Sequence, residues 1–448
     1  MEEILEIIDL TEEGLGIGKK EKRVYFVSGD VTVGDVVKVK VTGEKRGVIL
    51  GEALEILTNS PYRDVPRCSH FGHCGGCSLQ NLDYEQQLVL KKTKVYNIMK
   101  KIGRIDAPIN SVLPNFAFYR YRQKVHFTFG SSQNKLAIGY FDRKNNWFPV
   151  TDCLIADKSL VEVAHYVTEI LDAFKLKAYF NDAGVLRHLV VRKSSTTGEI
   201  QVVVTAVKLN FNVKEIAAKI LLNPEIQTLT FHENPKKTRE VFGKGTTVTF
   251  GTRYITEELL GISYRLTPLS FFQINPVQAE KIYRIALDYL DLGKTDMVFD
   301  GYSGVGSLTL PAARIAANVV GVEEIRDAVE VARTNAKLNG IANVNFFAGK
   351  VEEKLPWLLK KGYRFNKIIL DPPREGVKKE VLEEIIKHGA ERIVYVSCNP
   401  ATQARDLEIL AEAGYYPVEI TPVDMFSQTM HVETVALIKK RNSYYLPS

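Results

Sequence analysis

Two side chains near the C-terminal end of the chain have the chemistry of a nucleophile and a base. Cys398 closes the β-rich run Arg392-Ile393-Val394-Tyr395-Val396-Ser397 and is followed by Asn399-Pro400. A thiol therefore stands at the tip of a buried strand, with a proline ending the ladder behind it. Taken alone it reads more readily as a small buried hydrophobe, and it is the rest of the chain that favours a nucleophile. Glu433 lies in Met430-His431-Val432-Glu433-Thr434-Val435-Ala436-Leu437, where a carboxylate among apolar neighbours is expected only if it is used or paired. Its plain alternative is a strand-edge glutamate facing water. A free thiol with a pKa of about 8.5 is only slightly ionised at neutral pH, so Cys398 needs help that the sequence does not name.

A glycine loop precedes this pair. Asp300-Gly301-Tyr302-Ser303-Gly304-Val305-Gly306-Ser307 joins a strand to a helix, and Gly304 and Gly306 permit close backbone approach of a ligand at the strand's carboxyl end. The nicotinamide fingerprint needs a third glycine where Thr309 stands, which disfavours a pyrophosphate. Glu323 ends the next strand, placed to accept both hydroxyls of a ribose, and Asp371 ends a later one. Loop, acidic strand end and Asp371 in series point to S-adenosylmethionine. In Asp371-Pro372-Pro373-Arg374 an arginine occupies the position where an aromatic would suggest methylation of an amino nitrogen, and transfer to nitrogen would leave Cys398 without a task.

A thiol and a base do fit methylation of a pyrimidine at C5. That carbon is a poor nucleophile until a thiolate adds to C6 and makes the ring an enolate. A second group must then remove the C5 proton so that the sulfur can leave.

Three of the five cysteines crowd together as Cys68, Cys74 and Cys77, spaced C-x5-C-x2-C, and Cys153 offers a fourth thiolate. An odd count in this arrangement argues against a disulfide framework and for a metal site. Four soft ligands suit an iron–sulfur cubane or tetrahedral zinc, and spacing does not decide between them; His70 and His73 inside the cluster give zinc some credit.

The elements that must position these groups fall into three parts. Residues 1–58 read as a small β module, with Val37-Lys38-Val39-Lys40-Val41 alternating strictly and glycines marking turns. Its lysine face, with Lys19, Lys20, Lys22, Arg23, Lys45 and Arg46, could track a phosphate backbone or simply face water. Residues 59–266 hold the cysteines, a basic helical stretch from Tyr84 to about Ile102, and strands such as Tyr119–Phe127 and Leu186–Arg192 that interleave cations with aromatic or β-branched residues. Such strands can bind phosphates and stack bases, although an ordinary amphipathic strand looks similar. Residues 267–448 alternate strands with amphipathic helices, the rhythm of a doubly wound α/β sheet. The formal charge of +6 permits a polyanionic partner without requiring one. No secretory leader and no bilayer-spanning run is read, so a cytoplasmic protein without a membrane or DNA partner, monomeric, is expected.

Phe271-Phe272-Gln273-Ile274-Asn275, the Asp300–Gly306 loop, Leu370-Asp371-Pro372-Pro373-Arg374, Ser397-Cys398-Asn399-Pro400 and His431-Val432-Glu433-Thr434 together resemble, in order, the motifs of the RNA uracil-5 methyltransferase family. The N-terminal segment resembles the TRAM domain found on many members. The resemblance implies a class I S-adenosylmethionine-dependent methyltransferase of Rossmann-like, doubly wound α/β fold. It adds an N-terminal TRAM/OB-like β-barrel and a central α+β domain carrying an iron–sulfur cluster. By it Cys398 adds to uracil C6 and Glu433 removes the C5 proton. Gln273, Tyr302, Glu323 and Asp371 bind S-adenosylmethionine, and Cys68, Cys74, Cys77 and Cys153 hold a [4Fe–4S] cluster. Because the last of these cysteines lies beyond the basic helix, that helix is expected to leave the central domain and pack on the catalytic one. The TRAM-like module together with a cluster leans towards 23S ribosomal RNA as substrate, with transfer RNA as the alternative. A reading of another class is a non-catalytic RNA-binding protein or chaperone, against which intact Cys398 and Glu433 argue.

Overall fold

A computed structural model describes residues 1–179, 183–236 and 240–441. The chain opens with β1 (Glu2–Leu10), β2 (Gly16–Lys20), β3 (Arg23–Ser28), β4 (Val36–Lys45) and β5 (Val48–Thr58), which close into a barrel in the order β1-β2-β3-β5-β4. Alternation drives the closure: Leu5, Ile7, Val37 and Val39 point inward and are buried, and closing the sheet removes its edges. The outward lysines are not all free for a polyanion. Lys38 pairs with Glu2 and Lys20 with Glu3, whereas Lys19, Lys22, Arg23, Lys45 and Arg46 are exposed. The barrel is docked through Asp35, fully buried, which accepts from the Thr32 and Ser60 amides at 2.7 and 2.9 Å and pairs with Arg63. Leu79, Leu82, Leu90 and Met430 complete its core, so distant parts of the chain close its open end.

Helix α1 (Tyr84–Lys101) starts where the Asp83 carboxylate caps the amides of Glu85 and Gln86. The central sheet follows: β6 (Lys124–Ser132), β7 (Lys135–Phe141), β8 (Trp147–Pro149), β9 (Leu186–Lys193), β10 (Ile200–Ala206), β11 (Ile226–Glu233) and β12 (Thr247–Gly251), in the order β12-β11-β10-β9-β6-β7-β8. Helices α2 (Lys158–Ala173) and α3 (Val213–Ile220) cover its apolar face. The expected strand over Tyr119–Phe127 starts only at Lys124. Arg120 takes a left-handed backbone (φ 56°), which breaks the alternation, and its guanidinium grips Asp152 at 2.6 and 2.8 Å and the Cys153 carbonyl at 3.1 Å. Two further arginines of the supposed phosphate-binding strands are turned inward: Arg192 binds the Ser270 carbonyl and Arg187 the Asn234 and Lys236 carbonyls. Lys124 is pushed down to about 6 by burial and by Arg192, so its amine is largely uncharged at neutral pH.

The hairpin β13 (Ile255–Leu259) and β14 (Ile262–Leu266) precedes residue 267, yet its apolar side chains belong to the core of the next layer. That layer comprises α4 (Pro276–Leu290), β15 (Met297–Gly301), α5 (Thr309–Ala313), β16 (Asn318–Glu323), α6 (Arg326–Leu338), β17 (Val344–Ala348), α7 (Val351–Lys360), β18 (Lys367–Leu370), α8 (Lys379–His388), β19 (Arg392–Ser397), α9 (Pro400–Glu412), β20 (Tyr415–Val423) and β21 (Glu433–Lys440). Its sheet runs β17-β16-β15-β18-β19-β21-β20, parallel from β17 to β19, with β21 antiparallel to both neighbours. The runs Val319-Val320, Ile368-Ile369-Leu370 and Ile393-Val394-Tyr395-Val396 are buried throughout, as strands covered on both faces must be. The order reverses between β15 and β18, and crevices form at such a switch point. Helix α1, although it precedes the central sheet, packs on α9 and β20 of this layer.

Candidate active site

The carboxyl ends of β15, β18 and β19 share one edge of the sheet, and the antiparallel β21 starts at that same edge. Ser397 is in register with Thr434, and beyond that pair Cys398 and Glu433 are the next residues outward, with side chains that sense each other. Glu433 is also paired with Val423 of β20, and only 5% of its surface is exposed. The turn behind Cys398 is fixed by Asn399, whose side chain caps α9 by accepting from the Ala401 amide at 3.1 Å and donates to the Arg374 carbonyl at 3.0 Å. Asn399-Pro400 is thus a helix start, with cap and proline in the first turn, as well as a strand stop. Thr434 Oγ1 donates to the Ser397 carbonyl at 3.3 Å and to Gln403 at 2.8 Å, locking β21 to the root of α9.

The electrostatics bind four side chains into one group. Burial, with Glu433 and Asp371 adding to it and Arg374 opposing, pushes the Cys398 thiol up to about 11. Burial and then Asp371 raise Glu433 to about 8, again against Arg374. Burial alone brings Asp371 to about 7. Arg374, noticed in the sequence only as a missing aromatic, is the cation that favours both a thiolate and a carboxylate here. Gln273 joins this side of the cleft through a hydrogen bond to the buried Tyr283, which itself senses Asp371 and Glu433.

The glycine loop lies along the same edge. Tyr302 has a left-handed backbone (φ 71°), and its amide and that of Ser303 donate to the Val322 carbonyl at 2.9 and 3.0 Å. The Gly304 amide donates to Glu323 at 3.1 Å, which ties the loop to the end of β16. The Tyr302 hydroxyl is largely buried and senses the carboxylates of Glu352 and Asp406. Asp300 is buried beneath the loop, held by Thr309 Oγ1 at 2.5 Å, and its carboxyl is raised to about 8 by burial. Two observations fit a ligand in this loop. A Cβ at Gly304 would meet no atom within 4 Å, and the buried Ser303 hydroxyl has no hydrogen-bond partner. Glu323 and Asp371 at the two ends of the cleft suit a ligand that has hydroxyls at one end and positive charge at the other.

Cys68, Cys74, Cys77 and Cys153 line one cavity of about 250 Å³ under the edge of the central sheet. Each is unpaired, and Cys77 senses the other three. His70 Nε2 and Arg122 Nε, from residues that also line this cavity, are buried without a partner. Among the described residues no three His, Cys, Asp or Glu side chains converge tightly enough to hold a single metal ion. Also among them, no helix is long and apolar enough to cross a membrane.

The family model described as tRNA (uracil-5-)-methyltransferase matches residues 83–441, and that of the TRAM domain matches residues 5–54. An RNA methyltransferase of Clostridium tetani is 37% identical over 439 residues, 97% of this chain and 95% of that protein. One of Clostridium acetobutylicum is 37% identical over 442 residues, 97% of this chain and 96% of that one. The crystal structure of Pyrococcus abyssi tRNA (uracil-54, C5)-methyltransferase with S-adenosyl-L-homocysteine superposes with a TM-score of 0.77 at 25% identity, covering 98% of this chain and all of that one. The chain belongs to the tRNA (uracil-5-)-methyltransferase family of RNA methyltransferases and carries an N-terminal TRAM domain.

Proposed function

We propose that this enzyme methylates C5 of a uridine in RNA through a covalent adduct between Cys398 and C6 of the base. Cys398 Sγ, as thiolate, forms a bond to C6 and moves electron density to C5. Glu433 then takes the proton from methylated C5, the Cys398–C6 bond breaks, and the sulfur leaves as thiolate. Arg374 lowers the cost of both anions. Gln273, Tyr302, Glu323 and Asp371 would hold S-adenosylmethionine, which supplies the methyl group as a sulfonium when bound. The single observation that supports the reading is the Ser397–Thr434 register, beyond which Cys398 and Glu433 are the next residue of each strand, with side chains that sense each other. Sulfur and methyl donor must reach opposite faces of the ring, so the uridine has to leave its stack.

Large-subunit ribosomal RNA is the substrate we put first, on the combination of a TRAM domain with the cysteine cavity. Transfer RNA is the second reading, favoured by the likeness to the Pyrococcus abyssi tRNA (uracil-54, C5)-methyltransferase. Cys68, Cys74, Cys77 and Cys153 would hold a [4Fe–4S] cluster. A cubane spreads its thiolates over its corners and so suits a shared cavity better than the tight convergence that zinc requires. The test is to incubate the protein with labelled donor and RNA from cells lacking it, and then map the labelled nucleotide. A labelled uridine C5 that disappears with Cys398→Ala supports the proposal; normal turnover by that variant refutes it.

A further inference from the structure

Between β20 and β21 the chain passes through residues 424–432, a connection that leads into Glu433 at the start of β21. Connecting segments normally run over the surface, because a buried one must find partners for all its backbone groups. In this one Asp424, Met425, Ser427, Gln428, Met430 and Val432 are almost wholly buried. Its partners come from far away in sequence. The Ser78 and Leu79 amides donate to the Gln428 carbonyl at 3.0 and 3.1 Å. Tyr84 OH donates to Asp424 Oδ2 at 2.6 Å, and Lys94 Nζ donates to the Met430 carbonyl at 3.1 Å. Lys91 Nζ makes an ion pair with Asp424, both side chains fully buried, and donates to the Phe426 carbonyl at 3.1 Å.

We infer that Lys91 and Asp424 are positioning residues for Glu433: helix α1 grips the buried connection and thereby delivers the carboxylate to the tip of β19. A buried ion pair is a poor source of stability, since two apolar side chains of similar size often replace it without loss. What it supplies is direction, because the ammonium must satisfy Asp424 and the Phe426 carbonyl together. The same helix packs on α9, whose first residue is Pro400, so one element braces the supports of both Cys398 and Glu433. The inference rests on the roles proposed above for those two residues. A carboxylate displaced by a fraction of an ångström leaves adduct formation intact and slows removal of the C5 proton, so the methylated adduct stays attached to Cys398.

The test compares wild type, Glu433→Gln and the double variant Lys91→Met with Asp424→Leu. Each receives S-adenosylmethionine and unmodified transcripts of transfer RNA and large-subunit ribosomal RNA. Thermal unfolding is followed beside the RNA-linked protein band on denaturing gels. The double variant is expected to stay folded but to unfold at a lower temperature than the wild type, because Tyr84, Ser427 and the Phe426 carbonyl lose a partner, to form the adduct at the same rate, and to resolve it at least about tenfold more slowly. Resolution at the wild-type rate, or a parallel loss of formation and resolution, overturns the inference. Should the double variant fail to fold, Tyr84→Phe removes one hydrogen bond to Asp424 and leaves the charges paired. It is expected to show the same split to a smaller degree, and wild-type kinetics in it overturn the inference. If Glu433→Gln itself accumulates no band, the assignment of Glu433 fails, and this inference with it.

Discussion

Addition of Cys398 to RNA should speed up about tenfold for each unit of pH between 6 and 9. Burial, with help from Glu433 and Asp371, holds the thiol at about 11 in the free protein. At pH 7 only about one molecule in ten thousand is then the thiolate, against a few per cent for an ordinary cysteine. The neutral form is the favoured one, so the reactive anion grows with pH and does not level off within this window. Arg374 is the opposing charge, and Arg374→Met should slow addition by a further factor of about ten. The assay is the second-order rate of adduct formation with RNA carrying 5-fluorouridine, because kcat/KM titrates the free enzyme. Resolution of the adduct on ordinary RNA follows a different group. Glu433, at about 8, loses its basic form as pH falls below that value, so release should slow about fivefold from pH 8 to pH 7 in single turnover. A plateau in adduct formation reached below pH 8 would refute the reasoning, since it would mean that Cys398 is already ionised without its substrate.

Further expectations concern the supports of the site. Gly304→Ala meets no neighbour and bears only the cost of a left-handed backbone (φ 54°), about 1 kcal/mol in urea unfolding. It should nevertheless weaken S-adenosylmethionine at least about tenfold in titration calorimetry, because the methyl group occupies the side from which the backbone admits a ligand; unchanged affinity would place the ligand elsewhere. Asp35→Ala strands the Thr32 and Ser60 amides and leaves Arg63 only Asp30, and should cost about 2–4 kcal/mol in the same unfolding measurement, a loss under about 0.5 kcal/mol counting against the docking role. Protein purified without oxygen should be brown, with about four irons per chain, and Cys77→Ser should lose both colour and iron. A colourless wild type with one zinc per chain would overturn the cluster in favour of the other metal.

What the sequence made legible is what short stretches of chain decide for themselves. The glycine loop, the acidic strand ends and the thiol at a strand tip each sit within a few residues of the turn that presents them. Their alternation with helices was enough to give a doubly wound sheet. The barrel was legible because Val37-Lys38-Val39-Lys40 alternates without interruption. The strand over Tyr119–Phe127 was misread because cations between aromatics look the same whether they face water or not. Only the fold shows Arg120 turned to Asp152 and Arg192 turned to Ser270. Asn399-Pro400 carried a signal that could have been used further, since Asn followed by Pro is a helix start, and the cap also clips Arg374 beside Cys398.

Lys91 is the harder case, and it shows where local reading stops. On a basic helix it is indistinguishable from its exposed neighbours, and lysine is almost never fully buried unless paired. Its partner lies 333 residues away, in a segment without a motif of its own. Neither residue would fold alone into that environment: the buried ammonium needs the carboxylate, and the carboxylate needs Tyr84 and Ser427 as well. The contact therefore forms only once α1 has left the central domain and lodged against α9. An arrangement with so long a separation is costly to close and adds little net stability. Its value must lie in geometry, and the geometry it controls is that of the strand that begins with Glu433.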